Sequence, residues 1–289
     1  MDTQALLKKV RRIEIKTRRL SNHLFSGEYH SSFKGRGMAF SEVRRYEYGD
    51  DIRAIDWNVT AKLNEPYIKV FEEERELTLM LMVDVSGSEN FGSKMQLKRE
   101  MITEICATLA FSAIQNNDKV GLIFFSDKVE KFIPPAKGKS HTLRLIRELI
   151  EFKPQSSKTN IGEALRFFSA FQKRRAIVFV LSDFMDNRYR DALKIASRKH
   201  DLTGIRIYDP REEDLPNLGL LPMRDPESGK ISWVNTSSSK LRSKMRQRFA
   251  EFNKYYRESF LRSGAGDLTI RIDQSYPAAL LSYFKKRSR

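Results

Sequence analysis

From residue 77 onwards, short apolar runs alternate with segments whose apolar residues recur every three or four positions. The runs are typical of buried strands and the periodic segments of amphipathic helices. The predicted strands are 77–85, 120–125, 176–181, 202–208 and 268–272, with a short edge strand at 129–133. The predicted helices are 94–116, 140–152, 161–173, 189–199 and 238–263, with a last helix after Pro277. This alternation predicts an α/β fold: an open, mostly parallel sheet with helices on both faces.

The N-terminal quarter has a different pattern. Residues 3–25 carry an apolar stripe at helical spacing, whereas residues 26–66 are rich in Gly, Asp and aromatic residues and lack a regular period, so we expect them to be irregular. We therefore divide the chain into an N-terminal appendage, 1–75, which contains the segment GDDIRAIDW, and an α/β domain with C-terminal helices, 76–289. Within that domain, residues 210–235 are expected to form a loop with a small hairpin around 225–229.

Composition narrows the class of protein. Cys106 is the only cysteine, so an internal disulfide and a thiolate metal cluster are excluded, and its apolar helical surroundings favour a place in the core. The N-terminus has no signal-peptide pattern, and no apolar run approaches the ~20 residues of a membrane span. We expect a cytoplasmic protein.

The charge is strongly basic. The chain has a formal net charge of +16, and residues 230–289 hold 14 Lys and Arg against 4 Asp and Glu. A basic region of this kind suits a nucleic acid or an anionic membrane surface, and it equally suits a solvated helix face. Binding to such a surface through the C-terminal region is the alternative function that the sequence leaves open.

Polar residues with oxygen donors follow two predicted strands and precede one helix. Asp84, Ser86 and Ser88 come at the end of the first strand, Asp183 ends the third large strand, and Thr159 opens a helix. Ligands of open α/β sheets bind at the carboxyl ends of the strands, where these loops meet. A single residue of this kind is commonly a helix N-cap, which is the alternative for Thr159. Three such positions together favour a ligand-binding site over three separate caps.

The donor set indicates which ligand the site would take. It contains hard oxygens and neither His nor Cys, which favours Mg²⁺ or Mn²⁺ over zinc. In Asp-x-Ser-x-Ser an extended turn points alternate side chains to one side, and Gly87 allows that turn to tighten. Two carboxylates balance a dication while the hydroxyls add no charge, so a vacant position suits water or an outside carboxylate. Gly87 and Asn160 are the candidate partner-binding residues.

The motifs DVSGS, SKTNIGEAL and VLSDF resemble the metal-ion-dependent adhesion site (MIDAS) of von Willebrand factor A (VWA) domains, over residues 77–273. The upstream stretch RRYEYGDDIRAIDW, continuing to YIKVF, resembles the hallmark of the bacterial domain-of-unknown-function 58 family. The resemblance implies direct coordination by Asp84, Ser86, Ser88 and Thr159, with Asp183 acting often through water. It further implies a protein-interaction role beside a MoxR-type AAA+ ATPase, as an adaptor or chaperone partner.

Competing sites fit less well. Asp50, Asp51 and Asp56 form either a second acidic site or, as we prefer, a salt-bridge network with nearby arginines, in which Trp57 and Phe71 act as apolar anchors. Gly138-Lys139-Ser140 lacks the earlier glycine of a phosphate-binding loop. No histidine stands in a motif that would activate Ser86 or Ser88 as a nucleophile. We therefore expect no catalytic residues and no enzymatic activity.

Overall fold

The apolar runs of the sequence pair into one six-stranded sheet. Its strands are β3 (Thr78–Asp84), β4 (Lys119–Phe125), β5 (Val129–Ala136), β6 (Ile177–Ser182), β7 (Asp201–Tyr208) and β10 (Gly266–Arg271). The protein is described here by a computed structural model covering residues 10–14, 16, 39–72, 77–87, 98–224 and 230–287. All neighbouring strands of this sheet are parallel except β5, which pairs antiparallel with β4 at one edge. Across the sheet the strands lie in the order β10-β7-β6-β3-β4-β5.

Helices cover both faces of this sheet because side chains alternate across each strand. The helices are α2 (Lys98–Gln115), α3 (Lys139–Glu151), α4 (Ile161–Phe171), α5 (Arg190–Lys199), α6 (Pro210–Glu213), α7 (Ser239–Ser263) and α8 (Tyr276–Arg287). On one face Leu79, Leu81 and Val83 pack with apolar residues of α2, α3 and α8. On the other, Met80 and Met82 pack with α4, α5 and α7. The predicted α/β fold with two helical layers is confirmed.

Contacts within the chain separate a small unit, residues 34–76, from a sheet domain made of the other residues. The helical residues 10–14 and 16 belong to the sheet domain, where Ile13 packs against Ala107, Phe111 and Ile146. The remainder of the helix expected at 3–25 lies outside the described residues. The predicted division at residue 75 stays a prediction.

The small unit has more regular structure than its sequence suggested. It contains β1 (Ala39–Arg45) paired antiparallel with β2 (Tyr67–Glu72), a short 3-10 helix (Ile52–Ala54) and helix α1 (Trp57–Leu63). Asp56 begins α1 by accepting hydrogen bonds from the backbone N–H groups of Asn58 and Val59. Residues 39–66, expected to be irregular, are therefore largely ordered by pairing and capping.

Two smaller predictions concern the sheet domain. A hairpin of β8 (Leu220–Arg224) and β9 (Ile231–Asn235) forms where a small hairpin was expected, and its connecting residues 225–229 lie outside the description. Cys106 is fully buried within α2, as expected for a core residue. Among the described residues, no helix is both long and apolar enough to cross a membrane.

Candidate functional site

The strand order places two carboxylates at the point where the sheet changes direction. From β3 the chain moves to β4 and β5 on one side, and from β6 it moves to β7 and β10 on the other. Crevices for ligands form at such a switch point, outside the carboxyl ends of the strands. Asp84 is the last residue of β3, and Asp183 follows the last residue of the adjacent strand β6. Both predicted carboxylates therefore lie at the expected end of neighbouring strands.

Asp84 is buried and held by hydrogen bonds to both carboxylate oxygens. The backbone N–H of Ser86 donates to Oδ1 at 2.9 Å, and the hydroxyl of Ser182 donates to Oδ2 at 2.7 Å. Ser182 in turn accepts from the backbone N–H of Phe184 at 3.0 Å. The first loop and the end of β6 are thus joined through this one carboxylate, which fixes its orientation.

Asp183 is equally buried and has a different set of partners. Its Oδ1 accepts from the backbone N–H of Met185 at 3.1 Å, and its Oδ2 accepts from Lys98 Nζ at 3.1 Å. Its backbone carbonyl accepts from Arg206 Nε at 3.0 Å. A carboxylate oxygen can accept more than one hydrogen bond or metal bond.

The residue after Asp183 has a strained backbone. Phe184 has φ of 55°, in the left-handed region that a bulky side chain rarely adopts. Its ring is buried among Tyr189, Tyr256 and Phe260, with ring centroids 4.7 to 5.7 Å from its own. Packing of that ring stabilises the turn that follows Asp183. Strain of this kind is found where the surrounding structure over-determines a functional turn.

Backbone hydrogen bonds bring the three predicted clusters together. Gly87 N–H donates to the carbonyl of Ser157 at 3.0 Å, which ties the first loop to the loop before α4. Ile161 N–H, at the start of α4, donates to the buried carboxylate of Asp186 at 3.1 Å, which ties α4 to the loop after β6. The segments 84–87, 157–161 and 182–186 therefore form one continuous edge of the domain.

Thr159 and Asn160 have separate roles at the start of α4. Asn160 is the N-cap: its side-chain oxygen accepts from the backbone N–H of Glu163 at 3.0 Å. The capping role considered for Thr159 is therefore filled by its neighbour, and Thr159 itself is half-buried. Ser88, the fifth predicted ligand, lies outside the described residues.

The electrostatic environment of Asp84 bears on which ligand the site could hold. Burial, followed by the nearby negative charge of Asp183, raises the pKa of Asp84 to about 7, although hydrogen bonds from Ser182 and Ser86 act in the opposite direction. A raised pKa means that burial and the neighbouring negative charge disfavour the ionised form of Asp84, and a cation bound beside it would favour that form. With hard oxygen donors beside it, the residues present fit a divalent cation. Ser86, also buried, adds its hydroxyl to this set.

Several charged residues near the site were missed by the sequence analysis. Lys98, at the start of α2, is fully buried, and its Nζ lies 3.1 Å from Asp183 Oδ2 and 2.5 Å from Glu212 Oε1. Arg206 is buried at the end of β7, with its guanidinium over the ring of Phe249. The sequence shows an Arg within an apolar strand, but the burial of Lys98 is known only from the fold, and the partners of both residues lie far away along the chain.

The acidic residues of the small unit have structural roles. Asp50 forms a two-pronged ion pair with Arg44, with distances of 2.7 and 2.9 Å, and this guanidinium lowers the pKa of the Asp50 carboxyl. Asp51 and Asp56 cap the 3-10 helix and α1. Trp57 does not act as an anchor, because 68% of it is exposed, and the side chain of Phe71 lies outside the description.

No cluster of three or more His, Cys, Asp and Glu side chains suited to a metal occurs in the part of the chain that the structure describes. The candidate site differs in kind, since it combines two carboxylates with hydroxyl oxygens. Together, the switch-point location, the paired carboxylates and the converging loops define an α/β domain with an oxygen-lined site at the carboxyl edge of its sheet.

The family follows from the sequence. The family model described as "Protein of unknown function DUF58" matches residues 42–255, which is most of the chain, so the chain belongs to the DUF58 family. The uncharacterized protein Rv1480 of Mycobacterium tuberculosis is 26% identical over 297 residues, covering 100% of this chain and 92% of the relative. The uncharacterized protein YeaD of Bacillus subtilis is 28% identical over 109 residues, covering 38% of this chain and 25% of YeaD.

Two solved structures are similar to part of the chain. The protein BatB from Bacteroides thetaiotaomicron is 20% identical with a TM-score of 0.47, covering 73% of this chain and 98% of BatB. The SpRpn10 VWA domain is 12% identical with a TM-score of 0.38, covering 73% of this chain and 95% of that domain. The sheet domain has the predicted α/β fold, a mostly parallel sheet between two helical layers.

Proposed function

We propose that the protein is a non-enzymatic interaction module whose switch-point site binds Mg²⁺ or Mn²⁺ and, through the cation, an acidic side chain of a partner protein. Asp84, Ser86, Ser88 and Thr159 would hold the cation, with Asp183 contributing directly or through water. The observation that carries the proposal is the pair of buried carboxylates, Asp84 and Asp183, at the carboxyl ends of adjacent strands.

A bound dication would supply a concentrated positive charge that a carboxylate can approach from outside. Mg²⁺ prefers six oxygen ligands, and the hydroxyl donors of this chain leave its charge largely in place. The protein's own residues orient these donors: Ser182 fixes Asp84, and the cap at Asn160 fixes the loop that carries Thr159. Gly87 and Asn160 lie on the same loops and are the candidate contacts for the partner.

The partner that the family resemblance supports is a MoxR-type AAA+ ATPase, toward which this chain would act as an adaptor or chaperone. Chemically, the partner must present an exposed Asp or Glu at its contact surface. The interaction would take place in the cytoplasm.

Metal binding is tested by titrating the metal-free protein with Mn²⁺ in a calorimeter. We expect saturable binding by the wild-type chain and none by Asp84→Ala, because that change removes a buried charged donor. Asp191→Ala, an exposed carboxylate at the start of α5, is the matched control and should bind as the wild type does. Equal affinity in Asp84→Ala and wild type would contradict the proposal.

The interaction itself is tested with a purified MoxR-type ATPase. Binding should require Mg²⁺, should be lost with a chelator, and should be lost in Asp84→Ala while Asp191→Ala retains it. Binding that persists undiminished in the presence of the chelator would show that the contact does not pass through a cation.

A second candidate function, binding to an anionic membrane surface, is favoured by the exposed apolar face of the β8–β9 hairpin. Pro222 is paired with Trp233, and Ile231 lies two residues along β9, so that they share one face of the hairpin. Trp233 and Ile231 are each 69% exposed. Residues 230–250 contain six Lys and Arg and neither Asp nor Glu. Exposed Trp and basic residues together are typical of proteins that lie on a membrane surface.

This candidate is tested by sedimentation with vesicles that contain phosphatidylserine. Binding should fall with rising salt, since surface charges are largely screened at ~0.15 M. Trp233→Ala should weaken it, whereas Trp57→Ala in the small unit serves as the matched exposed-tryptophan control. Equal binding to neutral vesicles, or binding only to nucleic acid, would exclude this function.

A further inference from the structure

Lys98 is a fully buried cation next to the proposed metal site. It begins helix α2, and its ammonium lies between two carboxylates, 3.1 Å from Asp183 Oδ2 and 2.5 Å from Glu212 Oε1. A buried ion pair is usually weak evidence for stability, because desolvation offsets the attraction. Its position beside a candidate ligand suggests a role beyond stability.

Glu212 is held in place by its own helix. It belongs to α6, where its Oε2 accepts from the backbone N–H of Asp209 at 3.1 Å, while the Asp209 side chain accepts from Arg211 N–H at 2.8 Å. Its other oxygen is therefore directed at Lys98 by the capping box. Burial raises the pKa of Glu212, the charge of Asp183 raises it further, and Lys98 acts against both.

This arrangement divides the charge of one lysine between two acids. Lys98 offsets part of the negative charge of Asp183, and Glu212 draws the ammonium toward itself, which leaves part of Asp183's charge for another cation. Charges inside a protein interact far more strongly than charges in water, so the division changes the field at the neighbouring site.

We propose that Lys98 and Glu212 together set the affinity of the switch-point site for its cation and keep the bound cation positive enough to require an outside carboxylate. The inference rests on the proposed function. The positive charge of Lys98 weakens the attraction between Asp183 and the cation, and the negative charge of Glu212 reduces this effect of Lys98. They are positioning residues, since neither is among the predicted ligands.

The two residues have opposite charges, which gives the inference a distinctive test. Lys98→Met removes a positive charge beside Asp183, so Mn²⁺ should bind about tenfold more tightly, while acetate, as a probe of the partner carboxylate, should bind less well to the loaded protein. Glu212→Gln frees Lys98 to neutralise Asp183, so Mn²⁺ should bind about tenfold more weakly. A shift of tenfold corresponds to about 1.4 kcal/mol. Calorimetry measures both affinities.

A purely structural role makes a different prediction. Both substitutions would then lower the thermal stability of the metal-free protein and change Mn²⁺ affinity in the same direction or not at all. The exposed pair Lys254 and Glu258 on α7, 3.9 Å apart, offers matched controls, since Lys254→Met and Glu258→Gln change the same charges on the surface. These controls should leave Mn²⁺ affinity within twofold of the wild type.

The outcomes separate this inference from the proposed function. If the wild-type chain binds no Mn²⁺, the proposed function is contradicted and the inference falls with it. If the wild type binds and Glu212→Gln binds equally well or more tightly, the inference alone is overturned. Should Lys98→Met fail to fold, as judged by circular dichroism, Glu212→Gln decides the question, because it retains the ammonium and a side chain of the same shape.

Discussion

At the scale of single residues, Thr159 and Asn160 show how neighbouring side chains divide structure and chemistry between them. Asn160 caps α4, and Thr159 is the residue to which the family resemblance assigns a metal. Sequence reasoning identified both positions, because a polar cluster before an amphipathic helix is conspicuous. It did not separate their roles, since either residue type caps a helix.

Substitutions of these two residues should have separable effects. Thr159→Val, which removes the hydroxyl and keeps the shape, should weaken Mn²⁺ binding about tenfold and change metal-free stability by less than about 0.5 kcal/mol. Asn160→Ala should cost about 1 kcal/mol of stability through the lost cap. Calorimetry and urea unfolding measure the two effects. If Thr159→Val bound Mn²⁺ with the affinity of the wild type, Thr159 would not be a ligand of the metal.

His200 is a buried residue that makes stability depend on pH. Among the described residues neither ring nitrogen has a hydrogen-bonding partner, and the ring lies 4.6 Å from that of Phe168. Burial, together with the positive charges of Lys199 and Arg175, lowers the pKa of His200 to about 4. The folded state therefore favours the neutral ring, and its contribution to stability is present above pH ~6.5 and is lost as pH falls toward 4.

The wild-type chain should consequently lose more stability than His200→Leu between pH 7.5 and pH 4.5, by about 1 to 3 kcal/mol, since a pKa unit is worth about 1.36 kcal/mol. Urea unfolding at both pH values measures the difference in the free energy of unfolding. The carboxylates are the same in both proteins, so their contributions to the pH dependence cancel. An identical loss in the two proteins would show that His200 becomes protonated without cost.

The charged residues beside the site show what could not be predicted at this scale. Asp84 and Asp183 were found because each follows an apolar run, a local signal. Lys98, Asp183 and Glu212 are brought together only by the tertiary fold, since the first two are 85 positions apart in the chain. A charged residue in the sequence gives no indication of a distant partner.

At the scale of elements, buried strands were predicted well and the small unit was not. The strands β3, β4 and β6 are covered on both faces, so each is a continuous apolar run that requires no knowledge of its neighbours. Helix α1 has seven residues and buries none of them, and β1 pairs with β2 in a sheet of two described strands. Elements of this kind depend on capping and pairing, which leave a weak periodic signal.

Packing of α7 onto the sheet depends on a glycine in β7. A Cβ at Gly204 would overlap the ring of Phe260 in α7 and lie 3.1 Å from the ring of Phe184, next to Asp183. Gly204→Ala should therefore destabilise the protein by about 1 to 3 kcal/mol, the usual cost of overpacking. Urea unfolding measures this cost.

The second half of a double-mutant cycle supplies the control. Phe260→Leu should recover part of the loss in Gly204→Ala, because a smaller side chain makes room for the added methyl group. Additive losses in the double variant would show that the ring of Phe260 does not limit the space at Gly204.

At the scale of the whole molecule, strand order creates the site. The sequence predicted an α/β sheet, yet it did not reveal that β3 and β6 are adjacent, because their first paired residues, Leu79 and Ile177, are 98 positions apart in the chain. Adjacency of these strands puts Asp84 beside Asp183 at the switch point, where one cation can be shared. The account therefore depends on the two carboxylates serving one ion.

The most direct measurement is a crystal structure of the full chain grown with Mn²⁺, with anomalous scattering data collected at the manganese edge. The account predicts a single strong anomalous peak in bonding contact with Asp84 and the hydroxyls of Ser86 and Thr159, with Asp183 contacting the ion directly or through one water. An empty switch point in well-ordered crystals, with Asp84 hydrogen-bonded to Ser86 and Ser182 and contacting no ion, would contradict it.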